Sequence, residues 1–168
     1  IIGDWIVREK EGVMNRKGFT LVELMIVLAI IAIVATLAIV NLRGTEKAAN
    51  ETAAIKAMES LTTAERTHKR VNGMFDTLAN LLDDDGKHRV PSLQDGQDKG
   101  YTFAECEAPT DNSFSFYAIP DEYGISGDFT FICNDEGIVY KSDNNGAPVN
   151  AWPATAGQAG DPWQQAVK

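Results

Sequence analysis

The sequence is poor in the residues from which most active sites are built. In 168 residues it has two histidines, His68 and His88, and two cysteines, Cys106 and Cys133. We find no nucleophile elbow, no phosphate-binding glycine loop, no pair of histidines at metal spacing and no CxxC motif. Acyl transfer, phosphoryl transfer and zinc chemistry therefore each lack their minimum set of groups. The sequence indicates a protein that is not an enzyme and that has no resident cofactor.

Positive charge is also scarce. The formal net charge is −9 at pH 7, and residues 1–18 contribute +1, so residues 19–168 carry −10. General binding to nucleic acid requires a basic face, and this balance argues against it. A local basic patch stays open as an alternative, so nucleic acid as a partner is not decided by the sequence. The acidic balance is typical of a soluble, exported surface.

One stretch lacks both helix breakers and charge. Phe19–Val40 contains no glycine or proline, and its single ionisable residue is Glu23. About 20 apolar residues form a helix that spans a bilayer core, and the basic Arg16 and Lys17 before it favour a cytoplasmic N-terminus. A charge in hydrocarbon costs roughly 2.5–3.5 kcal/mol, so Glu23 is a candidate functional residue. The simpler alternative is an anchor whose Glu23 side chain reaches the membrane interface.

The residues RKGFTLVELMIVLAIIAIVATLAI resemble the N-terminus of type IV pilins and of the pseudopilins of type II secretion. The resemblance runs from Arg16 to about Leu42. Its parts are a basic leader, the pair Gly18 and Phe19, Glu23, and an uninterrupted apolar helix. It implies that a prepilin peptidase cuts between Gly18 and Phe19 and methylates the new amino group of Phe19. It also implies that Glu23 serves assembly, in which the helices of many subunits stack into a filament core.

The same resemblance implies partners and a location. The partners are copies of this chain and related pilins, the prepilin peptidase, an inner-membrane assembly platform, and membrane lipid before assembly. The precursor is expected to span the inner membrane once, and the assembled subunit to lie in an extracellular filament or in the periplasm. A type II secretion pseudopilin is the alternative within the family. A monomeric membrane-anchored binding domain is the alternative outside it, and such an anchor would keep its leader.

Two positions depart from the family pattern. Pilins commonly carry a helix-breaking glycine midway along this helix, where the chain has Ala32, and a proline at the end of the apolar run, where it has Val40. We therefore expect any softening of the helix in a filament at residues 41–44. Gly44 lies there and costs about 1 kcal/mol relative to alanine in a helix interior.

The predicted fold class is α+β, in which a long N-terminal helix packs on a small antiparallel sheet. The predicted segments are a leader at residues 1–18, a transmembrane and polymerisation helix at 19–42, an amphipathic helix half at 43–72, a globular antiparallel sheet domain at 73–140, and an irregular C-terminal tail at 141–168. Within the leader, Met14 opens the short segment MNRKG. Residues 1–13 are then either a spurious extension from gene prediction or part of a longer leader.

Small and apolar residues recur at spacings of three and four after the membrane-length stretch, which is typical of one helix face. They are Ala54, Ala57, Met58, Leu61, Ala64, His68 and Val71. The pair Asn72-Gly73 supplies a stop signal for this helix. We expect the face to pack on a sheet, because it is too weak to be stable alone. His68 is then a packing residue rather than a ligand.

Four short strands are predicted after the helix, at residues 101–106, 114–119, 128–133 and 138–140. Alternating side chains and intervening turn residues favour an antiparallel meander. A short helix at residues 77–82, capped by Asp76, is expected in the connection before the first strand.

The two cysteines lie on the exported side, where an even count favours a disulfide between Cys106 and Cys133. Two buried free thiols are the alternative. Alternation places Cys106 on the face of its strand opposite to Tyr101 and Phe103, and Cys133 on the same face as Phe129 and Phe131. A bridge between the two cysteines would therefore require a twist or bulge at one strand end. Calcium is the single metal that we considered, since some pseudopilins bind it in a C-terminal loop. The acidic turns at residues 83–86 and 143–146 resemble calcium loops only weakly.

Overall fold

The computed structural model describes residues 18–83, 90, 93 and 96–166. Within them the elements are α1 (Leu21–Asn72), α2 (Leu78–Asp83), β1 (Gln97–Asp98), β2 (Tyr101–Glu107), β3 (Ser115–Pro120), β4 (Thr130–Asn134), β5 (Val139–Ser142) and β6 (Gln164–Gln165). The predicted α+β class is confirmed. The predicted leader before residue 18 and most of the acidic run at 83–86 lie outside the described residues. The chain divides into two compact units, Ile1–Ile39 and Val40–Lys168, and α1 supplies backbone to both.

In the second unit, the predicted stripe of small residues on α1 forms the helix side of the core. Ala54, Ala57, Met58 and Leu61 are fully buried, and Ala64 is nearly so. Alanines on this face let the aromatic side chains of a sheet approach the helix closely, which explains why a weakly amphipathic helix packs well. The end of the predicted stripe differs, because His68 is half-buried and Val71 is 67 % exposed. The last turn of α1 therefore extends beyond the core.

Glycine ends α1 where the sequence predicted a stop. Gly73 has φ +85° and its N–H donates to Lys69 O at 2.8 Å. This left-handed cap satisfies one of the free carbonyl groups at the helix end, and glycine adopts it without a Cβ penalty. The chain then reverses and enters α2, where the Thr77 hydroxyl accepts from Asn80 N–H at 3.3 Å. Thr77, not the predicted Asp76, is thus the cap of α2, and the helix begins one residue later than predicted.

The strands form one antiparallel meander, in the spatial order β1-β2-β3-β4-β5-β6. The four predicted strands correspond to β2 to β5, with ends shifted by one or two residues. The sequence analysis missed β1 and β6, which have two residues each and are too short for a periodic signal. These short strands lie at the two edges of the sheet, where short strands limit edge-to-edge aggregation.

The two faces of the sheet carry separate apolar clusters. The face toward α1 includes Tyr101, Phe103, Phe116, Phe131 and Cys133. The second cluster is formed by Cys106, Ile132, Val149 and Trp163. Val149 and Trp163 belong to the segment predicted as an irregular tail. That segment is mostly turns, but it packs through these two residues and ends in β6, so it is part of the folded unit.

The predicted disulfide between Cys106 and Cys133 is not formed. Both cysteines are buried and both thiols are free. Cys106 lies on β2 and Cys133 on β4, and β3 runs between these strands. Neighbouring strands are about 4.8 Å apart, so the two Cα atoms are separated by about 10 Å, whereas a disulfide requires about 7 Å or less. A bulge between Glu105 and Glu107 is present, yet it does not change the order of the strands. The prediction was wrong for this reason.

Three polar contacts hold the loop between β3 and β4 against α1. Lys47 Nζ pairs with Asp128 Oδ1 at 2.8 Å, and Asn50 Nδ2 donates to Ser126 O at 3.0 Å. Asp128 N–H donates to Glu51 Oε1 at 3.0 Å. Two of the three contacts use backbone groups, which are otherwise left unpaired in a loop. They fix this loop to the first turns of α1 in the second unit.

We predict that both thiols are reduced and protected in the exported protein. Burial raises the pKa of Cys106 and of Cys133 to about 12, so neither is a reactive thiolate at neutral pH. An alkylating reagent should label neither cysteine in the folded full-length chain, and should label both after unfolding without reductant. A Ser60→Cys variant provides the control, because Ser60 is exposed and the new thiol should react at once. Absence of labelling after unfolding, with recovery on reduction, would show a bridge instead.

Candidate assembly site

The first unit presents an apolar helix surface that the described chain leaves uncovered. Every side chain from Leu21 to Leu37 is exposed. The large apolar ones retain between 48 % (Val27) and 75 % (Leu21) of their surface. Among the described residues, this helix is the one long and apolar enough to cross a membrane. A helix that is apolar on all sides is typical of a segment buried in a membrane, in an assembly or in the core of a larger protein.

The magnitudes favour burial of this helix in spite of its carboxylate. Burying one large apolar side chain is worth about 1.5–3 kcal/mol. Carrying the Glu23 carboxylate into hydrocarbon costs roughly 2.5–3.5 kcal/mol, which two such side chains already offset. A membrane therefore tolerates Glu23 at this position. A cationic partner that offsets the free-energy cost of the buried carboxylate would add to the stability of an assembly.

A capping box begins the helix and holds Glu23. Thr20 N–H and Thr20 Oγ1 both donate to Glu23 Oε2 at 2.8 Å, and Glu23 N–H donates to Thr20 Oγ1 at 3.2 Å. Leu24 N–H donates to Thr20 O at 3.2 Å, which is the first helical bond. Thr20 is thus the N-cap, and Glu23 occupies the third helical position, as the motif requires. The sequence TLVE carries this signal, and the sequence analysis missed it.

The capping box leaves one oxygen of Glu23 available. Both donors from Thr20 point to Oε2, and within residues 18–83 and 96–166 no hydrogen bond to Oε1 is found. The carboxylate is therefore oriented by the capping box through Oε2, while its Oε1 can still accept a hydrogen bond or pair with a cation. A cation that approaches from outside the helix can pair with Oε1 without breaking the cap.

The residues at the predicted cleavage position lie outside the helix. Gly18 and Phe19 precede the N-cap, and both are exposed, Phe19 by 89 %. A Cβ atom built on Gly18 meets no atom of the described residues within 4 Å. Within the part of the chain that the structure describes, no side-chain contact therefore requires glycine at this position.

The remaining polar candidates lie in the second unit and make contacts within it. His68 Nδ1 lies 3.2 Å from Met74 O, and His68 Nε2 lies 3.5 Å from Asp76 Oδ2. In the turn at residues 143–146, Asp143 Oδ1 accepts from Tyr123 Oη at 2.7 Å and Asn144 Nδ2 donates to Ala147 O at 3.0 Å. Among the residues that the structure describes, no group of three or more His, Cys, Asp or Glu side chains is arranged to hold a metal ion.

Comparison with known proteins agrees with this geometry. Residues 13–39 match the family described as the prokaryotic N-terminal methylation motif. The chain is also similar to the type IV wide pilus major component PilA4 of Thermus thermophilus, with 60 % identity over 38 residues. That similarity covers 23 % of this chain and 29 % of the relative, so the chain matches less than a third of that protein's length. No solved structure matches the chain.

The N-terminal part of the chain thus carries a prokaryotic N-terminal methylation motif and is similar to a type IV pilin, on a fold that joins a long apolar helix to a small antiparallel sheet.

We predict that Thr20→Val loosens the start of α1. The variant keeps the shape of the side chain but removes the hydroxyl of the capping box, and loss of an N-cap costs about 1 kcal/mol, or roughly fivefold in local opening. Hydrogen exchange of the full-length chain in detergent micelles should show this loss of protection at Glu23 and Leu24. Thr36→Val is the matched control, because the Thr36 hydroxyl only donates to Ala32 O within the same helix. Equal effects of the two variants at Glu23 would contradict a role for the cap.

Proposed function

We propose that the chain is a structural subunit of a type IV pilus-like filament. It is made as a membrane precursor, cut between Gly18 and Phe19 by a prepilin peptidase, methylated at the new Phe19 amino group, and assembled through the helix at residues 19–42. The observation that carries the proposal is the uncovered apolar helix from Leu21 to Leu37 with an oriented, half-used carboxylate near its start. The motif match over residues 13–39 supports the processing steps.

Processing supplies the cation that Glu23 lacks. Hydrolysis of the Gly18–Phe19 amide leaves a protonated amine on Phe19, and that amine stays charged after one methylation. Glu23 is four residues further along the chain. Its Oε1 is open to this amine in the same chain while the subunit lies in the membrane. In a filament, with the helices offset along their axes, it is equally open to the Phe19 amine of a neighbour.

The two interactions have different tasks in this proposal. The apolar side chains supply most of the association energy, because that energy scales with the area removed from water or lipid. These apolar side chains do not fix how far one helix is displaced along its axis relative to its neighbour, since apolar contacts are non-directional. A buried ion pair contributes little net energy, but it makes an incorrect axial displacement of the helices costly. Such a displacement separates the carboxylate from the amine and leaves each charge unpaired in an apolar core. Glu23 and the Phe19 amine thus set the register.

The acidic unit faces outward in this arrangement. Residues 19–168 carry a formal charge of −10, which keeps the folded units soluble once the helices are buried together. The assembly platform in the inner membrane would receive the mature subunit from lipid. A type II secretion pseudopilin would use the same helix, the same cleavage and the same pair, and it is retained as the alternative within the family.

We predict that Glu23→Ala and Glu23→Gln both lose most filament, although both still insert and are cleaved. The two variants separate the cap from the charge, because glutamine also completes a capping box but carries no charge. Filament sheared from cells is compared with the mature subunit held in membranes by immunoblot. Glu46→Ala is the matched control, since Glu46 is exposed on the same helix, and it should assemble normally.

Two outcomes would contradict the pairing. Normal filament from Glu23→Ala would remove the role of the carboxylate and favour a simple membrane anchor. Normal filament from Glu23→Gln together with failure of Glu23→Ala would assign the role of Glu23 to the capping box alone.

A further inference from the structure

One carboxyl group of α1 is buried, and it belongs to the second unit. Glu65 is fully buried in the second unit, among the core side chains of α1 and the sheet. Its Oε2 accepts from Asp76 N–H at 3.2 Å. Its Oε1 is buried and, in the part of the chain that the structure describes, has no hydrogen-bond partner. A buried carboxyl with an unpaired oxygen is costly when it is charged. The protonation state of Glu65 therefore affects the stability of the closed arrangement in which Glu65 accepts from Asp76 N–H.

That contact is one of several that hold the segment at residues 73–83 against the rest of the unit, together with the buried side chains of Phe75, Leu78 and Leu81. Three consecutive backbone N–H groups before and at the start of α2 each donate to a carboxyl group. Asp76 N–H donates to Glu65 on α1, and Thr77 N–H donates to the Asp76 side chain at 2.7 Å. Leu78 N–H donates to Glu105 Oε1 on β2 at 2.5 Å. The segment is therefore attached to α1 through Glu65 and to β2 through Glu105.

The groups that face Glu65 favour its neutral form. Asp76 from the connecting segment and Glu105 from β2 bring negative charge, and from β4 the nearby Cys133 brings a thiol. The cations of α1 in this region are otherwise engaged. His68 lies 3.5 Å from Asp76, and the Lys69 ammonium lies 4.2 Å from the centre of the Phe75 ring. Burial first, and then the charges of Asp76 and Glu105, raise the pKa of Glu65 to about 7 against the hydrogen bond from Asp76 N–H, which lowers it.

We propose that Glu65 is a pH-sensitive latch, which holds residues 73–83 against α1 while its carboxyl is protonated and lets that segment open when the carboxyl ionises. The latch lies outside the assembly helix, and it responds to the pH of the compartment in which the folded unit stands. Its consequence is a segment of the exported surface that is closed in mildly acidic surroundings and opens more often in neutral or alkaline ones.

The sign follows from linkage between proton binding and opening. The closed form binds the proton more tightly than the open form, whose carboxyl titrates near its ordinary value of 4.5. The opening equilibrium is therefore constant below about pH 4.5, rises by about tenfold per pH unit up to about pH 7, and is constant above that. Between pH 5 and pH 7 the expected increase in opening is roughly fortyfold, because pH 7 already lies at the midpoint of the closed form.

Hydrogen exchange of the full-length chain in detergent micelles tests the latch. Protection factors of the amides of Asp76, Thr77 and Leu78, corrected for intrinsic exchange at each pH, should fall by roughly fortyfold between pH 5 and pH 7. Glu65→Gln keeps the shape and cannot ionise, so its protection should not depend on pH. Glu59→Gln is the matched control, since Glu59 is exposed on the same helix and its change should leave the wild-type profile intact.

His68 requires its own variant, because a protonated His68 also attracts Asp76 and would act in the same direction. His68→Gln should keep the fall in protection if Glu65 is the latch. A direct reading comes from the carboxyl carbon resonance of Glu65 in the wild-type chain, which should titrate with a midpoint near pH 7 and does not depend on any variant being folded.

Three results would overturn the proposal. The first is wild-type protection that does not change between pH 5 and pH 7. The second is a fall in protection that persists in Glu65→Gln or disappears in His68→Gln. The third is a titration midpoint of the Glu65 carboxyl below pH 5.

Discussion

The structure depends on one physical constraint, which is that the described part of the chain leaves the apolar side chains at the start of α1 exposed. The apolar side chains from Leu21 to Leu37 are exposed on all sides, and the second unit builds its core without them. Water is not a stable surrounding for such a surface, because its exposure forfeits the burial of a dozen large side chains. A bilayer or a bundle of the same helices would cover it. In the function that we propose, export, processing and assembly are successive ways to keep this surface covered.

The constraint also explains how the two halves of α1 differ. The first half carries large aliphatic side chains all around, as a segment buried on every side requires, whereas the second half buries a narrow stripe from Ala54 to Ala64. Small residues on that stripe bring the aromatic face of the sheet close to the helix. The second unit therefore completes its core with the second half of the helix alone. Lys47, Asn50 and Glu51 on this half of α1 make polar contacts with the loop between β3 and β4.

Much of this was readable from the sequence, and the errors have physical reasons. Spacing of three and four along 54–64 and alternation along 101–134 predicted the helix face and the strands, because burial on one side imposes those periods. The order of the strands in a meander already excluded a bond between Cys106 and Cys133, since strands one and three of four are never neighbours, and this inference was not drawn. The cap at Thr20 was also present as a short motif. In contrast, the environment of Glu65 was not predicted, because its hydrogen bond from Asp76 N–H and the nearby charge of Glu105 arise only when these segments meet in the folded chain.

The central claim is that cleavage removes the leader before Phe19, and that the apolar helix is then buried among the same helices of neighbouring subunits. The most direct measurement is the intact mass of the subunit in filaments sheared from cells. The account predicts a chain that begins at Phe19 and carries one additional methyl group on its amine. A chain that keeps residues before Phe19 and is recovered only from membranes would contradict it.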